Sequence, residues 1–292
     1  MSLIRAAELA GLIDDPNLRI ADVRWSLAAP TAGHEAYAGA HLPGAVFVDV
    51  DTVLTARTGP GRHPLPEPAT FVAVLAALGI GREHRIVAYD DAGGTVAARL
   101  WWMLDALGHP RASVLDGGIG AWTAEGLSLV GGVPAFDAAA PWTDLPRAWP
   151  RTVSRGELAA RLGSLILLDA RAPERYRGEI EPIDPVAGHI PTAVSAPTGT
   201  FLAPDGRFLA PGTLAARFAA LGGGGTPAAA GGALPVVVHC GSGVNACQLA
   251  LAMRAAGLPD PLLYPGSYSN WSRAGMPIAT GNDPGDPPLR TS

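Results

Sequence analysis

Lysine is missing from the chain: all 21 basic residues of its 292 are arginine. The plain cause is arginine-rich coding, and no function is read from it. Positive charge is not in excess either. The formal net charge is -5, which excludes the basic footprint of a nucleic-acid binder. Cysteine is scarce, with only Cys240 and Cys247. That is too few for a disulfide framework, and no spaced histidines accompany them to make a zinc set, so no metal is expected. No apolar run is long enough to span a membrane. The N-terminus, Met1-Ser-Leu-Ile-Arg5, lacks an apolar signal core, so a cytoplasmic protein is expected. What is present is a 48% apolar and 16% charged composition, that of a globular protein. The length exceeds what one core usually takes, so two domains are expected.

The most informative stretch is Pro235-Val-Val-Val-His-Cys240-Gly-Ser-Gly-Val-Asn-Ala-Cys247. Val236 to Val238 reads as a buried parallel strand. Gly241 to Asn245 is a short loop, and Ala246 to Arg254 reads as a helix. Cys240 therefore sits where a strand gives way to a helix N-terminus. Backbone N–H groups in such a loop converge on one point, and the helix start adds positive potential. A thiol held there is set up to react as thiolate. The other reading of Cys240 is a buried structural thiol.

Strands alternate with helices along the N-terminal half. The pattern predicts a helix from Ile4 to Leu12, strands at Arg19–Arg24, Arg85–Asp90 and Ala112–Asp116, and helices at Gly33–Gly39, Ala69–Leu78 and Thr95–Leu107. Such alternation means a parallel sheet with covered faces. The order of elements then repeats. Ile20-Ala-Asp-Val-Arg24 is echoed by Leu168-Asp-Ala-Arg171, and Ala40-His-Leu-Pro-Gly44 by Gly188-His-Ile-Pro191. Ile86-Val-Ala-Tyr-Asp90 is echoed by Val236-Val-Val-His-Cys240, and Val114–Trp122 by Leu263–Trp271. The chain is thus two copies of one α/β unit. Residues 1–130 form the first, 131–150 a linker and 151–292 the second. Gly222 to Gly232 reads as a low-complexity surface insertion. At the position of Cys240 the first copy has Asp90, which cannot serve as a sulfur nucleophile. One copy carries chemistry and the other is scaffold.

These motifs, with Asp22-Val-Arg-Trp25, Leu115-Asp-Gly-Gly118, Glu174-Arg-Tyr-Arg-Gly178 and Cys240-Gly-Ser-Gly-Val244, resemble the tandem-domain rhodanese superfamily of sulfurtransferases over nearly the whole chain. The resemblance implies an α/β fold of two rhodanese-like domains in tandem, each a parallel sheet with helices on both faces. It implies an inactive first domain and a second whose cysteine takes sulfur from a small donor as a persulfide. A thiol or cyanide then removes that sulfur, with a thioredoxin-like reductant as one acceptor and no cofactor. The uncharged loop Cys240-Gly241-Ser242-Gly243-Val244-Asn245 resembles the 3-mercaptopyruvate type more than the thiosulfate type, whose loops carry basic residues.

In the mercaptopyruvate type, a loop serine with an aspartate and a histidine is proposed to handle a proton. The matching residues are Ser242, Asp51 and His63. Arg175 matches an arginine that meets the anionic end of the donor, and a guanidinium fork suits that role. Two features depart from the pattern. Asn245 replaces a threonine, and the segment Glu179 to Ala187 lacks a second arginine, which keeps thiosulfate open as the donor. A dedicated persulfide carrier is a third reading. A Cys-loop phosphatase is disfavoured, because that chemistry needs an arginine six residues after the cysteine and Ala246 stands there.

Overall fold

The structure is a computed structural model that describes residues 2–134, 136–140, 142–222 and 234–288. From residue 223 on, the glycine-rich insertion lies outside the described residues. The chain divides into two compact units. The first runs to Arg57 and includes Leu65–Pro150 and Leu202–Phe208. The second takes Thr58–Pro64, Arg151–Phe201 and the chain from Leu209 on.

In the first unit the elements are β1 (Leu3–Ile4), α1 (Ala6–Ala10), β2 (Leu18–Asp22), α2 (Ala32–Gly39), β3 (Ala45–Phe47), α3 (Pro68–Ala77), β4 (Arg85–Tyr89), α4 (Ala97–Ala106), β5 (Ala112–Leu115) and α5 (Gly118–Ala124). Its strands are all parallel, in the order β1-β5-β4-β2-β3. Ile86 to Tyr89 are buried without alternation, as expected of a strand covered on both faces. One expectation is corrected here. Ile4 does not open a helix but, with Leu3, pairs with Leu115 and Val114 at the sheet edge, so the helix expected over Ile4–Leu12 is reduced to Ala6–Ala10.

The second unit contains α6 (Arg155–Arg161), β6 (Ile166–Asp169), α7 (Pro173–Arg177), β7 (Ala193–Ser195), a 3-10 turn (Thr198–Phe201), α8 (Pro211–Ala220), β8 (Val236–His239), α9 (Ala246–Ala255), β9 (Leu262–Leu263) and α10 (Ser267–Arg273). Its parallel sheet has the order β7-β6-β8-β9. Leu158, Leu167, Val237, Tyr268 and Trp271 are fully buried in its core, each aliphatic side chain contributing about 1.5–3 kcal/mol.

The repeated motifs make the same bonds twice. Arg24 donates to both oxygens of Asp22 and to the carbonyl of Ala40, with the closest contact at 2.6 Å. Arg171 does the same with Asp169 and the carbonyl of Gly188, at 2.7 Å. His41 stacks on Tyr37 at 4.3 Å and His189 on Tyr176 at 3.8 Å. Each tyrosine hydroxyl donates to the first carbonyl of the neighbouring strand, Ala45 or Ala193. The Asp-x-Arg and His-x-Pro signatures thus fix where the strand ends and how the loop after it turns.

Burial pushes the Asp169 carboxyl up, but the charges of Arg171 and His239 and the bonds from Arg171 outweigh it and hold it at about 2. Because the folded value lies below the ordinary 3.8, this group adds stability that is present above pH 3.8 and is lost as the pH falls through 2. The contribution is about 2 kcal/mol. Asp169→Asn should cost about 3–5 kcal/mol at pH 7 in urea unfolding, since it leaves a buried arginine unpaired. The variant should also lose less stability than the parent between pH 4 and pH 2. A cost below about 1 kcal/mol would contradict this assignment of Asp169.

Candidate active site

Cys240 follows β8 directly, at the carboxyl end of a central strand, where open α/β sheets place their sites. The N–H of Gly243 points at its Sγ from 3.1 Å and that of Ser242 from 3.4 Å. Glycine is required in this loop. Gly243 has φ 84°, and a Cβ there would lie 2.5 Å from the carbonyl oxygen of Pro265.

The start of α10 latches the loop. Tyr268 N–H donates to the carbonyl of Cys240 and Ser269 N–H to that of Gly241, both at 2.9 Å. The N–H of Cys240 donates to Ser267 Oγ at 3.2 Å. Ser267 is fully buried and holds a left-handed φ of 53°, a conformation that costs a non-glycine residue of order 1–3 kcal/mol. The matching residue of the first unit is Gly118, at φ 58°. The strained serine therefore stands only where the cysteine stands.

The first unit has the same loop with a different occupant. Asp90 is fully buried, and its carboxylate accepts four backbone N–H bonds, from Ala92, Gly94, Val96 and Ala97, at 2.7–2.9 Å. Burial pushes its carboxyl up against the pull of those donors. A hydrogen-bonded carboxyl group thus stands at the position that Cys240 takes in the second unit.

Around Cys240 the second unit brings together several of the expected residues. Ser242 Oγ and His63 Nδ1 lie 2.7 Å apart, both nearly buried. His63 reaches this position because Thr58–Pro64 belongs to the second unit. Arg175 on α7 and Arg62 both approach Gly241: a Cβ placed there would lie 3.3 Å from Arg175 Nη1 and 3.0 Å from Arg62 Nη2. Val244 is buried, and Asn245 leads into α9. Cys247 sits inside α9, its Sγ 3.4 Å from the carbonyl of Gly243. Asp51 is in the first unit, exposed, and accepts the indole N–H of Trp25 at 2.9 Å. His239 is buried beside Asp169, and burial lowers its affinity for a proton. Among the described residues, no group of three His, Cys, Asp or Glu could hold a metal ion.

Reading the sequence missed Arg62, Glu181 and Asp184. Arg175 donates to both oxygens of Glu181 and to Asp184, and Arg62 Nη1 donates to the other oxygen of Asp184 at 2.7 Å. The segment that lacks a second arginine supplies two carboxylates instead. The signal available was that Arg62 is the neighbour of His63.

The arrangement offers one sulfur under two N–H donors, one hydroxyl–imidazole pair and two guanidiniums over the next residue. Comparison with known proteins places the chain in a family. The family described as "Rhodanese-like domain" matches residues 5–125 and 154–274. The chain is 43% identical to the "Probable 3-mercaptopyruvate sulfurtransferase" of Pseudomonas aeruginosa, over 96% of this chain and 98% of that one. It is 44% identical to SseB of Mycobacterium tuberculosis, provisionally named for thiosulfate, over 92% of this chain and 93% of that one. The crystal structure of Escherichia coli SseA, described among the 3-mercaptopyruvate sulfotransferases, superposes with a TM-score of 0.77 at 31% identity, covering 92% of this chain and all of that one.

Gly243→Ala should push the loop away from Pro265 and turn an N–H away from the sulfur. Its expected effects are a stability loss of about 1–3 kcal/mol, the usual cost of forcing a wrong backbone conformation, and a fall in the alkylation rate of Cys240 of about 10-fold or more. An alkylation rate equal to the parent's would contradict the role given to that N–H.

Proposed function

The chain belongs to the rhodanese family, with two Rhodanese-like domains in tandem, and from that membership we propose a sulfurtransferase that takes its sulfur from 3-mercaptopyruvate through a persulfide on Cys240. The Cys240 thiolate bonds to the donor sulfur, the carbon–sulfur bond breaks, and its electron pair leaves with the carbon as the enolate of pyruvate. That enolate takes a proton. An acceptor thiolate or cyanide then removes the outer sulfur and regenerates the Cys240 thiolate. A thioredoxin-like dithiol is one suitable acceptor.

The observation that carries this reading is the 2.7 Å contact between Ser242 and His63 beside a loop without charge. An enolate needs a proton delivered, whereas thiosulfate leaves as sulfite and needs none. Ser242 backed by His63 is a proton path of the right kind, within two residues of the nucleophile. In the mercaptopyruvate pattern the aspartate matching Asp51 completes that set, with Gly241, Gly243, Val244 and Asn245 shaping the donor's bed. Thiosulfate is the second reading. The two guanidiniums near Gly241 would draw a dianion too, and the likeness to SseB points the same way.

The two donors are separated by kcat/KM measured with one acceptor. The value for 3-mercaptopyruvate should exceed that for thiosulfate. Ser242→Ala and His63→Ala should each lower the mercaptopyruvate value by roughly 10²-fold or more, the usual size of acid–base help, and the thiosulfate value much less. Equal losses with both donors would reduce the pair to a loop support, and a preference for thiosulfate would overturn the donor assignment.

A further inference from the structure

We propose that Arg62 is a donor-binding residue, which pairs with Arg175 to hold the carboxylate of a 2-oxo-carboxylate thiol; this deepens the mercaptopyruvate reading and rests on it. Arg62 is placed with unusual care for a residue of a Gly- and Pro-rich loop. Its N–H donates to Ser269 Oγ at 3.0 Å, on the same α10 start that latches Gly241. Gly61 before it has φ 87° and approaches so closely that a Cβ would lie 2.5 Å from the carbonyl oxygen of Gly266. The guanidinium is mostly withdrawn from solvent, with 15% of the side chain exposed, and pairs with a fully buried Asp184.

Asp184 divides its two oxygens between the two arginines. Oδ1 takes Arg62 Nη1 at 2.7 Å and Oδ2 takes Arg175 Nη2 at 3.1 Å. It thereby fixes two like charges side by side, which would otherwise repel. Each guanidinium keeps donors in reserve. Among the described residues, Arg62 Nε is buried without a hydrogen-bond partner. Arg62 Nη2 and Arg175 Nη1 converge over Gly241, 3.0 and 3.3 Å from where a Cβ would stand. A desolvated, unused guanidinium N–H is costly unless something accepts from it. An anion over Gly241 would do so.

The dimensions fit a short donor. Gly241 adjoins Cys240, so the receptor stands about one residue, or about 3.8 Å of chain, from the nucleophile. That suits a molecule whose sulfur and carboxylate are two carbons apart. The charge fits as well. Arg62 and Arg175 are matched one for one by Asp184 and Glu181, so the cluster is close to neutral and does not favour a dianion over a monocarboxylate. Glycine at 241 is then needed to leave room for the donor, as well as for the arginines.

The test measures KM and kcat for 3-mercaptopyruvate, and the competitive inhibition constant of pyruvate against whichever donor is used, in Arg62→Ala, Arg62→Lys and Arg175→Ala. Arg62→Ala should raise both KM and the pyruvate constant by about 10- to 100-fold, the size of a lost charged hydrogen bond, with kcat changed less than about threefold. Arg62→Lys should recover part of the loss, because it keeps the charge without the planar fork. If the alanine variant does not fold, Arg62→Gln answers the same question with the side-chain volume kept. A pyruvate constant within about twofold of the parent's, or a fall in kcat with KM unchanged, overturns the inference even if 3-mercaptopyruvate is the preferred donor. A parent that prefers thiosulfate, with pyruvate binding still weakened in Arg62→Ala, overturns the donor assignment and supports the receptor.

Discussion

Backbone N–H groups that converge on one point at the end of a central strand impose the constraint on which the rest of the structure depends. Such a loop calls for a hydrogen-bond acceptor, and in each unit the residue after the strand supplies one. In the first unit Asp90 does so with a carboxyl group that accepts four hydrogen bonds. In the second, Cys240 presents a sulfur to two N–H donors. A carboxylate ends the matter, because it is fixed and unreactive toward sulfur. A thiol in the same setting has two N–H donors already aimed at its sulfur. One fold thus places a carboxyl group in one copy and a thiol in the other at the same position.

The remaining features keep that loop in place. Asp169 and Arg171 fix the end of β6 beside β8, with Arg171 also stacked 3.8 Å above the ring of Tyr268. Tyr268 and its neighbours in turn bind the loop carbonyls. Among the described residues, Arg151, Thr192 and Ser267 are non-glycine residues with a left-handed φ, and Ser267 is the one bonded to the Cys240 loop. The left-handed position is filled by a glycine in the first unit and by Ser267 in the second, and only the serine supplies an oxygen to the N–H of Cys240. The inferred order of causes runs from motif to strand end, from strand end to loop, and from loop to the state of one sulfur.

Much of this was legible in the sequence because repeated motifs report repeated bonds. The Asp-x-Arg and His-x-Pro echoes were enough to align the two copies, and the aspartate in place of the cysteine marked where they differ. Two kinds of feature were not legible. Leu3 and Ile4 have a composition that suits a helix start, and only their pairing with β5, more than a hundred residues away, makes them a strand. Arg62 could not be assigned because its position depends on contacts with Gly266, Ser269 and Asp184. Those residues lie far along the chain, and nothing in a loop rich in glycine and proline announces where its side chains settle. The missing arginine of the 179–187 segment was read correctly as an absence. Its counterpart was visible only once the chain was folded.

The central claim is that the transferred sulfur is carried on Cys240, under the N–H groups of its loop. The most direct measurement is mass spectrometry of the intact protein and of its peptides after one equivalent of 3-mercaptopyruvate, with no acceptor present. The account predicts one added sulfur atom, carried by the Cys240 peptide, which is released on adding a thiol and never appears in Cys240→Ser. Sulfur found on Cys247, or no added sulfur in a protein that still turns over, would contradict it.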